Sequence, residues 1–135
     1  MQSLSHARAA DLASTFVVLA PDKAATPVAV TPTLFDELDR RFDGFRDHVL
    51  VSSFAFDCDW STWERHPAGD EVVCLLSGAV TMVLDRDGAE ETIELREPGS
   101  FVIVPRATWH TARTEVPTRM LFVTPGEATQ NRAVA

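Results

Sequence analysis

From His48 onward, apolar residues recur at every second position. In HVLVSSFAFDCDW, residues 48–60, Leu50, Phe54, Phe56, Cys58 and Trp60 share one face of an extended chain. Short runs rich in β-branched residues follow: EVVCLL, AVTMVL, TIEL, SFVIV and TRMLFVT. Turn signals separate them at Ser77-Gly78, Asp87-Gly88, Pro98-Gly99, Pro105 and Pro117. Many short strands at this spacing predict an antiparallel sandwich or barrel. Asp87-Gly88 suits a two-residue hairpin turn, whose central residues both need positive φ.

Ahead of this region the period differs. TFVVLA and TPVAV read as two short strands around a turn, PDKAA, with Pro27 placing the second at a sheet edge. TPTLFDELDRRF changes to a helical period: Leu34, Leu38 and Phe42 form one stripe, so this helix should pack on something. Thr31 or Thr33 can cap it, Pro32 suits its first turn, Asp36 and Glu37 favour the positive end of its dipole, and Gly44 ends it. The final stretch, GEATQNRAVA, has no strong pattern. The chain therefore divides into an extension (1–45) whose strands have no obvious home, a β-rich body (46–126) and a tail (127–135) expected to fray.

At 135 residues the chain should form one domain, and 45% hydrophobic with 24% charged residues is the balance of a folded protein. The net charge of −8, with no basic block, argues against nucleic acid or an anionic membrane as partner. FVVLA is too short and too polar in its surroundings for a signal peptide, and no run reaches membrane-spanning length. Cys58 and Cys74 form no C-x-x-C pair and suggest a reducing compartment, where both would be small buried apolar side chains. A cytoplasmic protein is the expectation.

The richest stretch is WERHPAGDEVVCLLSG, residues 63–78. Glu64 and His66, two apart, point the same way on an extended segment. Glu71 heads a face it shares with Val73 and Leu75, and an unpaired buried carboxylate there would be costly. His66 and His110 each lie beside a strand and a turn, and His with carboxylates suits borderline divalent metals. Spacing alone leaves open that each is a solvated strand-end residue. Arg106 and Arg113 flank His110 and could grip a substrate carboxylate. Trp60 and Trp63 could line a barrel mouth, while Trp109, adjacent to His110, should face the other way. There is no phosphate-binding loop, dinucleotide fingerprint, nucleophile elbow or zinc-finger spacing.

The pattern resembles the cupin superfamily, whose first motif runs G-x5-H-x-H-x(3,4)-E-x6-G and whose second runs G-x5-P-x-G-x2-H-x3-N. His66, Glu71 and Gly78 match the first; Gly99, Pro105 and His110 match the second; twenty residues lie between Gly78 and Gly99. Glu64 stands where the first motif has its leading His, and Cys58 where it opens on Gly. Ala107 and Thr114 replace the Gly and Asn of the second motif. Loss of glycine at 58 and 107 is tolerable where φ is negative.

The resemblance, covering residues 48–124, implies an all-β fold: a small antiparallel double-stranded β-helix, or jelly-roll barrel, preceded by an extension with one short helix. It implies one divalent transition metal per chain (iron, manganese, nickel or zinc) on His66, His110 and Glu71, with Glu64 as a possible fourth ligand. The expected function is enzymatic, on a small organic metabolite, with Glu64 or Glu71 as proton-transfer group; oxygenase, isomerase and lyase chemistry all occur on such barrels. A non-catalytic small-molecule or sugar-binding protein is the alternative. A homodimer is expected, formed by adding an N-terminal strand to a partner's sheet edge.

Overall fold

The computed structural model describes residues 8–134. In chain order the elements are β1 (Thr15–Leu19), β2 (Ala25–Ala29), α1 (Leu34–Arg41), a 3₁₀ turn (Asp43–Phe45), β3 (Val49–Phe56), β4 (Thr62–Arg65), β5 (Glu71–Ser77), β6 (Val80–Arg86), β7 (Ala89–Leu95), β8 (Phe101–Val104), β9 (His110–Arg113), β10 (Thr118–Thr124) and β11 (Gln130–Ala133). One sheet has the order β2-β1-β3-β10-β5-β8 and the other β11-β4-β9-β6-β7. All pairings are antiparallel. This is the predicted jelly-roll barrel. Asp87 (φ 57°) and Gly88 (φ 90°) form the β6–β7 turn with positive φ at both central residues, as their sequence predicts.

The inward faces of both sheets meet in a core of Val73, Leu75, Val80, Met82, Leu84, Leu95, Val104, Ala112, Met120 and Phe122. Alternation along β5 and β10 puts every second residue there. A second core, Phe16, Val18, Val28, Leu34, Leu38, Phe45 and Leu50, lies under the extension. The extension's strands do have a home: β1 pairs with β3 of the same chain, Val17 opposite Val51, and β2 pairs with β1. The helix then lays Leu34 and Leu38 on the sheet's inner side. Thr33 occupies the N-cap position without a side-chain bond, and the Thr31 hydroxyl donates instead to Glu37 Oε2 at 3.4 Å.

Two expectations fail. The tail does not fray over 130–133: it is strand β11, paired with β4 from Gln130–Arg65 to Ala133–Thr62. Its side chains are exposed and carry no alternation, so the hydrophobic pattern is silent there. Arg132, stacked 5.6 Å from the Trp63 ring and 4.5 Å from that of Trp109, ties it down instead. The cysteines are not buried either: Cys58 is exposed beyond the end of β3, and Cys74 is half-buried on the outer side of β5.

One row on that outer side is apolar across the whole six-stranded sheet, although Ser53 and Arg119, hydrogen-bonded to each other, also face outward. Pro27, Val17, Val51, Val123, Val72 and Ile103 are successive cross-strand partners in one row. Leu121, Cys74 and Phe101 lie in a neighbouring row, and Phe101 and Ile103 are 59% and 52% exposed. Among the described residues no helix is long and apolar enough to cross a membrane.

Candidate metal centre

Three strands of the barrel deliver the four predicted donors to one place. Glu64 lies on β4 directly opposite His110, the first residue of β9. His66 follows β4, and Glu71 opens β5. The Nε2 atom of His110 is 3.0 Å from Glu71 Oε1; that of His66 is 3.4 Å from Glu71 Oε2 and 3.6 Å from Glu64 Oε1. Glu64, His66 and His110 each offer a ligand atom within 4.8 Å of the others, a group that could hold a metal ion. His66, His110 and Glu71 are buried, while Glu64 keeps a partly open side chain.

Backing hydrogen bonds fix the direction of both rings. His110 Nδ1 donates to the Thr108 carbonyl at 3.0 Å. The Thr129 hydroxyl donates to the Gly126 carbonyl at 2.9 Å, so it accepts from His66 Nδ1, also at 2.9 Å. Each neutral ring therefore turns an Nε2 lone pair inward, the arrangement that readies imidazole for a metal. The Thr124 hydroxyl donates to Glu71 Oε2 at 2.7 Å.

What remains inside is a set of acceptors facing one another. His66 Nε2, His110 Nε2 and Glu71 Oε1 are buried without a hydrogen bond. His110 Nε2 comes within 3.0 Å of Glu71 Oε1 with no hydrogen bond between them. Three orphaned acceptors around one point are costly unless a cation sits among them. Two imidazoles and two carboxylates form a donor set that suits a borderline divalent ion.

The acid–base properties follow from the same contacts. Burial pushes the Glu71 carboxyl up, but the adjoining His110 and His66 rings outweigh it and hold it at about 2. Burial pushes His110 down, and Glu71 beside it overcomes this, so the net shift is upward. Burial, reinforced by Glu71, pushes Glu64 up against the opposing pull of the two histidines.

Glu64, His66 and Glu71 line a cavity of about 570 Å³ lying between the two cores, while His110 is fully buried and does not line it. Trp60, Phe54, Phe122 and Leu50 supply its barrel wall; Phe35, Leu38 and Asp39 of α1 and Phe45 supply the other; Ala128, Thr129 and Asn131 close the side near β11. The extension thus walls the site.

Of the four predicted pocket residues, only Trp60 lines it. Trp63 points outward to Arg132. Arg113 lies on the barrel exterior, its guanidinium 3.3 Å from Glu90. Arg106 is exposed in the turn before β9, where its backbone N–H donates to Asp70 Oδ1 at 2.7 Å. Parity already separates two of them: Arg113 is three residues from His110, and Trp63 one from Glu64, odd intervals that oppose side chains on a strand. Trp109 faces away from the centre as predicted, stacked with Arg65 and Arg132. Ala107 departs from expectation. Its φ is +59°, so the position keeps the left-handed backbone that glycine would favour, and its N–H donates to the His66 carbonyl at 3.0 Å.

No family model matches this sequence, and no curated protein matches it. Solved structures do. A structure of oxalate oxidase superposes with a TM-score of 0.52 at 14% identity, over 60% of this chain and 44% of that one. A variant of Bacillus subtilis oxalate decarboxylase gives 0.50 at 17% identity, over 64% of this chain and 24% of that one. A cupin-2 domain protein from Shewanella frigidimarina NCIMB 400 gives 0.49 at 18% identity, over 57% and 70%. The chain therefore spans less than half of the two oxalate enzymes. Together with the double-sheet topology, the likenesses to the two oxalate enzymes show the fold alone, a jelly-roll barrel of the cupin kind.

Proposed function

We propose that this chain is a metal-dependent cupin enzyme acting on a small organic molecule. The observation that carries the reading is the trio of buried polar atoms, His66 Nε2, His110 Nε2 and Glu71 Oε1, gathered together without a hydrogen bond to any of them. Those groups and Glu64 would hold one divalent ion. When bound, the ion supplies Lewis acidity or, if redox-active, oxygen chemistry.

The remaining roles belong to the chain. Glu71 is held ionised by the rings and by Thr124, so it is an anchor and a poor proton acceptor at neutral pH. Glu64 has the opposite character: partly open, lining the cavity and raised in pKa when no ion is bound, it is the group suited to take or return a substrate proton where it does not ligate the ion. The aromatic wall and α1 give that exchange a partly apolar surround.

The test is metal content of protein purified without chelator, for wild type and for His66→Ala and His110→Ala. About one ion per chain in wild type, lost in both variants while circular dichroism stays unchanged, supports the centre. A wild-type chain that takes up none of iron, manganese, nickel or zinc removes it.

A further inference from the structure

The cavity has an unusual balance of charge. Among the described residues that line it there is no Lys or Arg, while Asp39, Glu64 and Glu71 are all acidic. The nearby arginines are engaged elsewhere: Arg65 on Gln130, Arg113 on Glu90, Arg119 on Ser53, Arg132 on Asp85. A divalent ion at the centre would be balanced by the charges of Glu64 and Glu71, leaving no positive excess to attract an anion. A carboxylate entering this space would shed its water and find no cation to replace it.

The walls specify something else. Trp60 and Phe122 have ring centroids 5.9 Å apart, and Phe54 and Phe122 5.8 Å apart at an interplanar angle of 63°. Leu38 and Leu50 complete an apolar lining. Beyond the donors, the polar groups include neutral hydrogen-bonding partners: Ser52, Thr124 and Asn131. Asn131 is the cross-strand partner of Glu64 and lines the cavity with it. An aromatic wall with a few neutral polar groups recognises a flat apolar body carrying hydroxyl or carbonyl oxygens.

We infer that the ligand of this cavity is an uncharged aromatic molecule bearing a hydroxyl group, and that carboxylates are excluded. The part of this inference that places the hydroxyl towards the donors rests on the metal-centre reading; the choice of neutral over anionic ligand does not. The aromatic body lies against Trp60 and Phe122 with its hydroxyl towards Glu64.

Matched probes test it: 2-naphthol and 2-naphthoate at pH 7, where the first is neutral and the second ionised. Binding is followed by ligand-observed NMR titration on chelator-treated wild type and again after metal loading. In chelator-treated protein, 2-naphthol should bind at least about tenfold more tightly than 2-naphthoate. Asn131→Lys, an exposed strand position lining the cavity, should narrow that ratio by admitting the anion. Equal or preferential binding of 2-naphthoate to wild type, or no binding of 2-naphthol, overturns the inference. Because the comparison is complete without metal, a chain that binds naphthol but no ion refutes the metal reading alone. A chain that binds an ion but prefers naphthoate refutes the ligand class alone.

Discussion

His110 and Glu71 stand 3.0 Å apart, Nε2 to Oε1, with the imidazole's other nitrogen already spent on the Thr108 carbonyl. The pair can be satisfied in two ways, by a proton on the ring or by a cation shared between ring and carboxylate. Glu71→Gln keeps the shape and removes the charge. It should lower metal occupancy by about tenfold or more, while metal content of Glu64→Gln falls less, because Glu64 is the more open donor. Elemental analysis of the two variants after dialysis decides it; equal retention in both would remove Glu71 from the centre.

The two protonation shifts give the metal-free protein a pH signature. The lowered Glu71 pKa contributes stability that is present above 4.5 and is lost as pH falls from there through about 2. The raised His110 pKa contributes stability that is present below 6.5 and is lost as pH rises through its higher folded value. Glu64, also raised, loses stability as pH rises above 4.5, so the Glu71 limb is read most cleanly below that point. Thermal unfolding of chelator-treated protein should thus weaken at both extremes. With metal bound, the loss above pH 6.5 should shrink because the ion stands in for the proton. A melting temperature that falls equally above pH 6.5 with and without metal would count against this.

Thr129 belongs to neither motif of the sequence pattern, yet its hydroxyl orients His66. Thr129→Val should leave folding intact, since the residue is exposed, and weaken metal binding about 10–100-fold. Competition with a chelator of known affinity measures it. Unchanged affinity would mean that the ring holds its direction without help.

Gly78 tests the barrel itself. Its φ is +85°, and a Cβ there would lie 2.3 Å from the Pro117 carbonyl oxygen and 2.8 Å from Thr118 Cα, both backbone atoms. Gly78→Ala should cost about 2 kcal/mol or more, lowering the melting temperature by several degrees. A variant as stable as wild type would show that the β5–β6 turn relaxes freely.

We propose that the uncharged outer row from Pro27 to Ile103 is covered by a second copy of the chain. The row crosses six strands, about 24 Å. A row this long without charge, on a chain of net charge −8, suits contact with its own like across a two-fold axis. This differs from the strand-exchange route, because β1 is already paired within the chain. Light scattering after size exclusion should give a dimer for wild type and a monomer for Val72→Lys. A wild-type monomer at micromolar concentration would exclude the association.

Much of the centre was legible. The spacing around His66, Glu71, Gly78, Gly99, Pro105 and His110 carried both fold and donors, because each glycine and proline marks a turn that sets the register of a ligand. The rest was hidden for separable reasons. The stripe Leu34–Leu38 says that a helix packs, but not that its target is the rim of a cavity. Thr124 and Thr129 act through single hydroxyls, which leave no periodic trace. Strand β11 is held by Arg132 stacking on indoles from two other strands, a contact invisible to any local pattern.

The helix over the barrel mouth has one further consequence. Phe35, Leu38 and Asp39 line the cavity from outside the barrel, whereas every donor lies on or beside a barrel strand, so the residues that shape the space and those that would hold an ion sit on separate stretches of chain.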